Sequence, residues 1–407
     1  MNNKIRLDDI QISESTRILQ NDGFIVIGNI ARCGLWIKIP FNVYNFIIPY
    51  IGMQDGYKKL MDSLGSESEQ DYYTTLLEKL AKIQVLEKKG KLPQKSLINN
   101  LCIELTTACN LKCKHCSGMY GSRTVVSLPN YQLEKIIKWA SMQRINSITL
   151  TGGEIFCVPD IYEKLRYIRT NFHGKVGIIT NATLLEAEKI HIIKECVDDI
   201  SISLDGYDER SVDYIRGKNV FKKVIQSINL LKMEGISNIS VSMVLTSDNN
   251  KHVTDFKNLC ESLNVTPITR VFAVKGRAKE NYDSLIFDQD KGMEDNILKH
   301  VNMLSLCLAG ISTLSISANG SITLCPAIED SNIVLGTVDE LDNIEQILMK
   351  MQQTCIVEEV SPCNSCNVRY FCSSKCYATN INIFNNFSLR EQRCKQYKKK
   401  LQKYVWE

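Results

Sequence analysis

The sequence predicts an α/β protein built around a series of parallel βαβ units. Three observations carry that expectation. Strand-like and helix-like segments alternate between residues 99 and 280. Ahead of them, residues 1–95 read as strands followed by helices, the order of a small α+β module. Behind them, from Cys307 onward, the chain becomes less regular and rich in cysteine.

In residues 1–95, GFIVIG and GLWIKIP read as two short strands joined by a turn near Asn29–Cys33. FNVYNFIIPYIGMQDGYKKLMDSLG and EQDYYTTLLEKLAKIQVLEKKG read as helices, the second ending at Gly90. GKLPQKS reads as a linker. The central strands are LCIELTT, SITLTG, VGIIT, DISISLD, NISVSMVLT and PITRVF. Between them lie NYQLEKIIKWASMQ, DIYEKLRYIRTN, LLEAEKIHIIKEC, VFKKVIQSINLLKMEG and NKHVTDFKNLCESLN. Six strands alternating with five helices imply parallel crossovers. The strands are rich in Ile, Val and Leu, as when both sheet faces are covered. A (β/α)6 partial barrel and a doubly wound sheet both fit, and the alternation alone does not choose. Residues 281–306 read as a connecting segment with a helix, and residues 307–407 as a region held by metal-stabilised loops.

Bulk properties exclude several function classes. The 407 residues carry a net charge of +4 with 23% charged residues, so no polyanion preference is evident. The basic run KQYKKKLQK reads as a solvated helix face, and no nucleic-acid partner is expected. MNNKIRLDDI carries acids and lacks the apolar segment of a signal peptide. The apolar stretches are too short to span a bilayer. The expectation is a soluble cytoplasmic protein with no membrane contact. In a reducing compartment, 16 cysteines point to metal binding rather than disulfides. They are clustered, three at 109–116 and five at 363–394.

In parallel α/β folds, ligands lie beyond the carboxyl ends of the strands. The first strand leads into Cys109, Cys113 and Cys116, spaced C-x3-C-x2-C. The second leads into TGGE, with Gly152, Gly153 and Glu154. The third ends in TNATL, with Thr180 and Asn181, and the fourth in SLDG, with Ser203 and Asp205. Three thiolates suit a soft metal or an iron–sulfur cluster. Adjacent glycines let a ligand approach the backbone. Glu154 suits a cationic amine, and Asn181, Ser203 and Asp205 suit hydroxyls.

C-x3-C-x2-C after strand one, with GGE after strand two, resembles the radical S-adenosylmethionine (SAM) superfamily. The resemblance implies a partial TIM barrel. It implies that Cys109, Cys113 and Cys116 hold three irons of a [4Fe–4S] cluster, while SAM binds the fourth through its amino and carboxylate groups. Reductive cleavage of SAM would then give a 5′-deoxyadenosyl radical that takes a hydrogen atom from the substrate. Gly152, Gly153 and Glu154 would contact the SAM amino group; Asn181, Ser203, Asp205 and Arg216 (in YIRGK) stand where relatives contact SAM ribose or carboxylate. His115 takes the place of an aromatic residue that the family often has before its third cysteine. An electron donor such as flavodoxin or ferredoxin is implied.

The later cysteines resemble the SPASM domain. Cys307, Cys325, Cys363, Cys366, Cys372, Cys376 and Cys394 follow its spacing. The resemblance implies two auxiliary [4Fe–4S] clusters, an outer one on Cys363, Cys366, Cys372 and Cys394 and an inner one on Cys307, Cys325 and Cys376. With three ligands, the inner cluster would take another residue or keep an iron open for substrate. Cys33, Cys102, Cys157, Cys196, Cys260 and Cys355 remain, and read as buried thiols, with Cys157 the exception by its position near Glu154.

SPASM enzymes act mostly on peptides. The strands-then-helices order of residues 1–95 resembles the winged-helix-like recognition element of ribosomal peptide maturases, which binds a leader peptide by strand addition. ELTTACNLKCKHC, ITLTGGEIF and SISLDG resemble the subtilosin-type thioether synthases. That likeness implies a sactipeptide maturase, joining a cysteine sulfur of a precursor peptide to an α-carbon. The competing expectations are a β- or γ-carbon thioether, a carbon–carbon cross-link or epimerisation. Further alternatives are a sulfatase-maturing type of enzyme and a non-enzymatic iron–sulfur electron carrier.

Overall fold

A computed structural model of the chain describes residues 7–14, 16–29, 35–90, 98–270, 275–285, 313–326, 334–344, 358, 361–372 and 387–407. The expected linker at 91–96, most of the connecting segment, and Cys33, Cys307, Cys355 and Cys376 lie outside the described residues. Two compact units are formed, and the division does not follow chain order: residues before 95 and after 352 share one unit, while 312–351 belong with the central strands.

In the first unit, β1 (Ile10–Ile12) lies apart from a meander of β2 (Thr16–Asn21), β3 (Phe24–Asn29) and β4 (Trp36–Pro40). Sequence patterning misses β2, yet Asp22-Gly23 is a hairpin signal. Both residues take positive φ, 44° and 78°, the two-residue turn whose twist matches paired strands. The first expected helix is broken into α1 (Phe41–Ile47) and α2 (Gly56–Asp62), with Pro49 and the positive-φ Gly52 between them. In α3 (Glu67–Lys82), Ser66 caps the start by accepting from the Glu69 amide at 3.3 Å. This helix stops earlier than its sequence suggests. Gln84 takes a positive φ of 58°, and β5 (Leu86–Lys88) returns to pair antiparallel with β1. One face of the meander buries Ile25, Ile27 and Ile39 against Leu60, Leu76, Leu77 and Leu80. The other packs Leu19, Val26 and Trp36 against Val368, Tyr370, Phe371, Leu401 and Val405. Trp36 meets Phe371 edge-on, with ring centroids 5.1 Å apart.

The second unit contains β6 (Asn100–Glu104), β7 (Ser147–Thr151), β8 (Lys175–Thr180), β9 (Asp199–Ser203), β10 (Ile239–Val244) and β11 (Thr266–Arg270). They pair in parallel and in chain order, with no reversal along the row. A doubly wound sheet reverses at a switch point; this order is that of a barrel wall. The helices α4 (Asn130–Met142), α5 (Ile161–Asn171), α6 (Ile190–Cys196), α7 (Glu209–Arg216), α8 (Val220–Met233) and α9 (Val253–Ser262) form the crossovers. Of these, α7 is absent from the sequence expectation. A strand from the cysteine-rich region, β12 (Thr313–Ile316), adds in parallel to the free side of β6, and β13 (Ser321–Thr323) and β14 (Gly336–Thr337) continue the sheet.

The strands are not apolar on both faces. Ile103, Leu150, Ile178 and Ile200 stand in register and are buried. Each full burial is worth about 1.5–3 kcal/mol, so a one-residue slip is strongly disfavoured. The alternate positions carry Cys102, Thr149, Ser201 and Ser240. With Ser147, Gly177, Asp199 and Asn238, several of these line a cavity of ≈ 300 Å³. Among the described residues, no helix is long and apolar enough to cross a membrane.

Candidate active site

The cysteine-bearing segment follows β6 and has little regular structure. Its one bridge among the described residues is Thr106 with Ser127. Its shape therefore depends on contacts from other strand ends. The turn after β7 provides two, with the Gly153 amide donating to Thr106 O and the Glu154 amide to Ala108 O, both at 2.8 Å. The glycines explain this approach. A Cβ on Gly152 would stand 2.4 Å from Thr106 O, and one on Gly153 2.3 Å from Ala108 O. The sequence suggested that they clear room for a ligand; in the structure they clear room for the cysteine segment itself.

The three thiols share one electrostatic neighbourhood. Burial pushes the Cys109 thiol up to about 12, and the fields of Cys113, Glu154 and Cys116 add to the rise. The Cys113 thiol is also raised by burial, with Arg216 opposing and Asp205 and Cys116 reinforcing. Among the described residues, no three His, Cys, Asp or Glu side chains converge on a single-ion site. A cluster takes one thiolate per iron, so its ligands need not meet at a point. Soft, mutually close thiols fit such a group. A buried donor fits it too: Arg216 Nε has no hydrogen-bond partner among the described residues, an N–H that a bound anionic group would satisfy.

Two buried carboxylates flank the segment. Glu154 is 1% exposed and accepts from Thr180 Oγ1 at 2.7 Å, the Asn181 amide at 2.6 Å and the Phe156 amide at 3.1 Å. Its donors are neutral, and burial raises its pKa despite them. Asp205 is fully buried and pairs with His115 and with Arg216, the latter at 2.5 Å, while the Val244 amide donates at 2.6 Å. Burial opposes its ionisation, but Arg216 and His115 outweigh it and hold the carboxyl well below the usual range. Arg216 ends α7, whose start is fixed by a capping box in which the Ser211 amide donates to Asp208 at 2.8 Å.

The remaining expected residues divide. The Asn181 amide is largely used within the protein: its nitrogen donates to Asn110 at 2.9 Å, and its oxygen accepts from Thr183 N and Oγ1. Ser203, half-buried at the end of β9, has a hydroxyl with no partner among the described residues. Cys325 follows β13, close enough to Cys102 to help burial push that thiol up to about 12. Cys363 and Cys366 pack against the Val368–Phe371 core, and Cys394 lies half-buried in the helix Phe387–Trp406. Cys307, Cys376 and the Cys372 side chain lie outside what the structure describes.

Sequence reasoning missed two residues at this rim. Glu104, at the end of β6, accepts from Tyr120 Oη and, at 2.9 Å, from the Ala318 amide beyond β12. Arg277, just after β11, reaches back to the cysteine segment with its whole guanidinium. The strand-end rule that found Cys109 and Glu154 leads to KGRAKEN when it is extended to the sixth strand.

Residues 103–260 match the profile of the radical SAM superfamily. Mycofactocin maturase MftC of Mycobacterium ulcerans is 26% identical over 304 residues, covering 68% of this chain and 82% of that protein. The antilisterial bacteriocin subtilosin biosynthesis protein AlbA of Bacillus subtilis is 26% identical over 291 residues, 64% of each. Among solved structures, Streptococcus suis SuiB bound to S-adenosylmethionine aligns with a TM-score of 0.55 at 17% identity, covering 91% of this chain and 96% of that one. SuiB bound to precursor peptide SuiA aligns with a TM-score of 0.56 at 17% identity, over 92% and 97%. At such identity the structural likeness concerns the fold.

Proposed function

We propose that this radical SAM enzyme, whose radical SAM domain spans residues 103–260, modifies a ribosomally made precursor peptide by forming cysteine sulfur-to-α-carbon cross-links. The observation that carries the reading is the shared electrostatic neighbourhood of Cys109, Cys113 and Cys116 beside a buried carboxylate, Glu154, that has no cation bonded to it among the described residues.

In this reading Cys109, Cys113 and Cys116 hold a [4Fe–4S] cluster. When bound, the cluster supplies the electron that breaks a carbon–sulfur bond of SAM. Glu154 receives the SAM amino group at its remaining acceptor position, and Gly152 and Gly153 keep that carboxylate against the cysteine segment. Ser203 offers its free hydroxyl to SAM, and Asn181 its remaining N–H. Arg216 supplies positive charge beside the thiolates, and Asp205 acts by holding Arg216 and His115 rather than by touching SAM. The core peptide approaches the rim at the carboxyl ends of the strands, beside Glu154 and Ser203.

Cys363, Cys366, Cys372 and Cys394 are the proposed ligands of an outer auxiliary cluster, and Cys307, Cys325 and Cys376 those of an inner one. When bound, such clusters would supply an acceptor for the electron left after cross-linking. Residues 1–95 bind the leader peptide, with a strand of the β2–β3–β4 meander as the edge for strand addition. Flavodoxin or ferredoxin is the expected electron donor and the cytoplasm the expected location, since reduced clusters need a reducing compartment. A peptide substrate is supported by SuiB, solved with precursor peptide SuiA, and by the names of MftC, a mycofactocin maturase, and AlbA, a bacteriocin subtilosin biosynthesis protein.

The test is anaerobic reconstitution with SAM, a strong reductant and a cysteine-containing precursor peptide. The expected outcome is 5′-deoxyadenosine together with a peptide lighter by two hydrogens per bridge. Deoxyadenosine with unchanged peptide mass and an inverted residue would replace cross-linking by epimerisation. No deoxyadenosine from cluster-loaded protein would overturn the enzyme reading.

A further inference from the structure

The cysteine segment is also pinned by residues that follow the sixth strand. Arg277 lies 9% exposed in a short helix, Arg277–Glu280, beyond β11. Its Nε donates to Cys113 O at 2.9 Å, one terminal nitrogen to Ser122 Oγ at 2.5 Å and the other to Tyr120 O at 2.6 Å. Its own amide donates to Cys116 O at 2.9 Å. Two of the four acceptors are thus carbonyls of the proposed ligand residues themselves. Asn281 extends the contact, its side-chain nitrogen donating to Lys114 O at 3.3 Å.

Gly276 makes the approach possible. Its φ of 52° and ψ of −133° are open to glycine. A Cβ there would stand 2.3 Å from Ser117 O and 2.7 Å from Cys116 O. The segment therefore lies backbone to backbone on the loop that carries the second and third thiols. A planar guanidinium with fixed donor directions suits this task, because it dictates the relative positions of three acceptors at once.

We infer that Arg277 is a positioning residue for the proposed cluster: it sets the spacing of Cys113 and Cys116 by holding their backbone, and so ties the ligand loop to the end of the sixth strand. The inference rests on the cluster assignment to Cys109, Cys113 and Cys116. Lysine keeps the charge but not the fork, so Arg277→Lys separates geometry from electrostatics. Ser122→Ala removes one contact point and leaves Arg277 in place.

The experiment follows iron release to a chelator and the SAM-induced change in the electron paramagnetic resonance spectrum of reduced, reconstituted protein. Outer-shell partners of metal ligands typically change affinity by about ten- to a hundredfold. Arg277→Lys is expected to speed loss of the SAM-responsive cluster on the order of tenfold and to alter its spectrum; Ser122→Ala should do so to a lesser degree. Variants that melt at lower temperature yet release iron and respond to SAM as the wild type does would overturn the positioning role, as would variants unchanged in every respect. A wild-type protein with no SAM-responsive signal would instead overturn the cluster assignment and this inference with it.

Discussion

The turns after β7 and β9 each bury a carboxylate against the same cysteine segment, and the two are opposite in character. Asp205 is paired with the Arg216 guanidinium and bonded to His115, and its carboxyl is held well below its usual range. Among the described residues Glu154 accepts only from neutral donors, and burial raises its pKa. A buried charge is stable when paired and costly when it is not. Asp205 is therefore finished as part of the fold, while Glu154 keeps room, in the proposed function, for a cation from outside. A motif of one residue cannot make that distinction; the partners do.

The widest break in the comparison comes from the segment between them. Replacing Cys113 by alanine should abolish the SAM-responsive cluster signal and deoxyadenosine formation, leaving Glu154 with nothing to recruit; elemental iron analysis and product chromatography check this. Next comes Asp205→Asn. It strands Arg216 in the interior, and breaking a buried pair costs about 3–5 kcal/mol, a loss in urea unfolding that should be the same with or without SAM. Glu154→Gln should behave differently. It costs about 1–3 kcal/mol of stability through the donor of Asn181 left facing an amide, and it should weaken SAM binding in equilibrium titration more than Asp205→Asn, which reaches the site only through Arg216 and His115.

Acid sharpens the contrast. The folded pKa of Asp205 is lowered relative to its unfolded value, so its contribution is complete above the unfolded pKa of about 3.9 and disappears as pH falls through the folded one. The stability gap between wild type and Asp205→Asn should thus be full near neutrality and narrow below about pH 4. A gap that widened on acidification would refute the ion-pair account. The smallest effect belongs to Asp208→Ala. Loss of the cap of α7 should cost about 1 kcal/mol, with a correspondingly slight disturbance of Arg216 at the other end of that helix.

The strand–helix alternation was legible because each element carries its own period and its own stop signal. Cys109, Cys113, Cys116 and Glu154 stand out in the sequence because a C-x3-C-x2-C run and a Gly-Gly-Glu turn follow two successive strands. What escaped was non-local. Nothing in Leu86–Lys88 announces β1 as a partner, and nothing in TLSI announces that it will lie beside β6. The hydroxyls of SITLT and ISVSM do alternate, and that spacing already forecast a polar inner face that the Ile/Val/Leu content obscured. Arg277 was hidden for a different reason. Two of its guanidinium's three partners are backbone carbonyls, which have no letter in a sequence.

The meander of the first unit has a consequence for how the protein is made. Asn21 and Asn367 are hydrogen-bonded across 346 positions, and the face of Leu19 and Val26 is covered by Val368, Phe371 and Leu401. During synthesis those early strands emerge with one side bare and stay so until residues near the far end have left the ribosome. Chaperone engagement of the nascent chain is the natural expectation for that interval. Excising residues 1–95 on their own would recreate the same bare side permanently, unless the excised piece carried its distant cover with it.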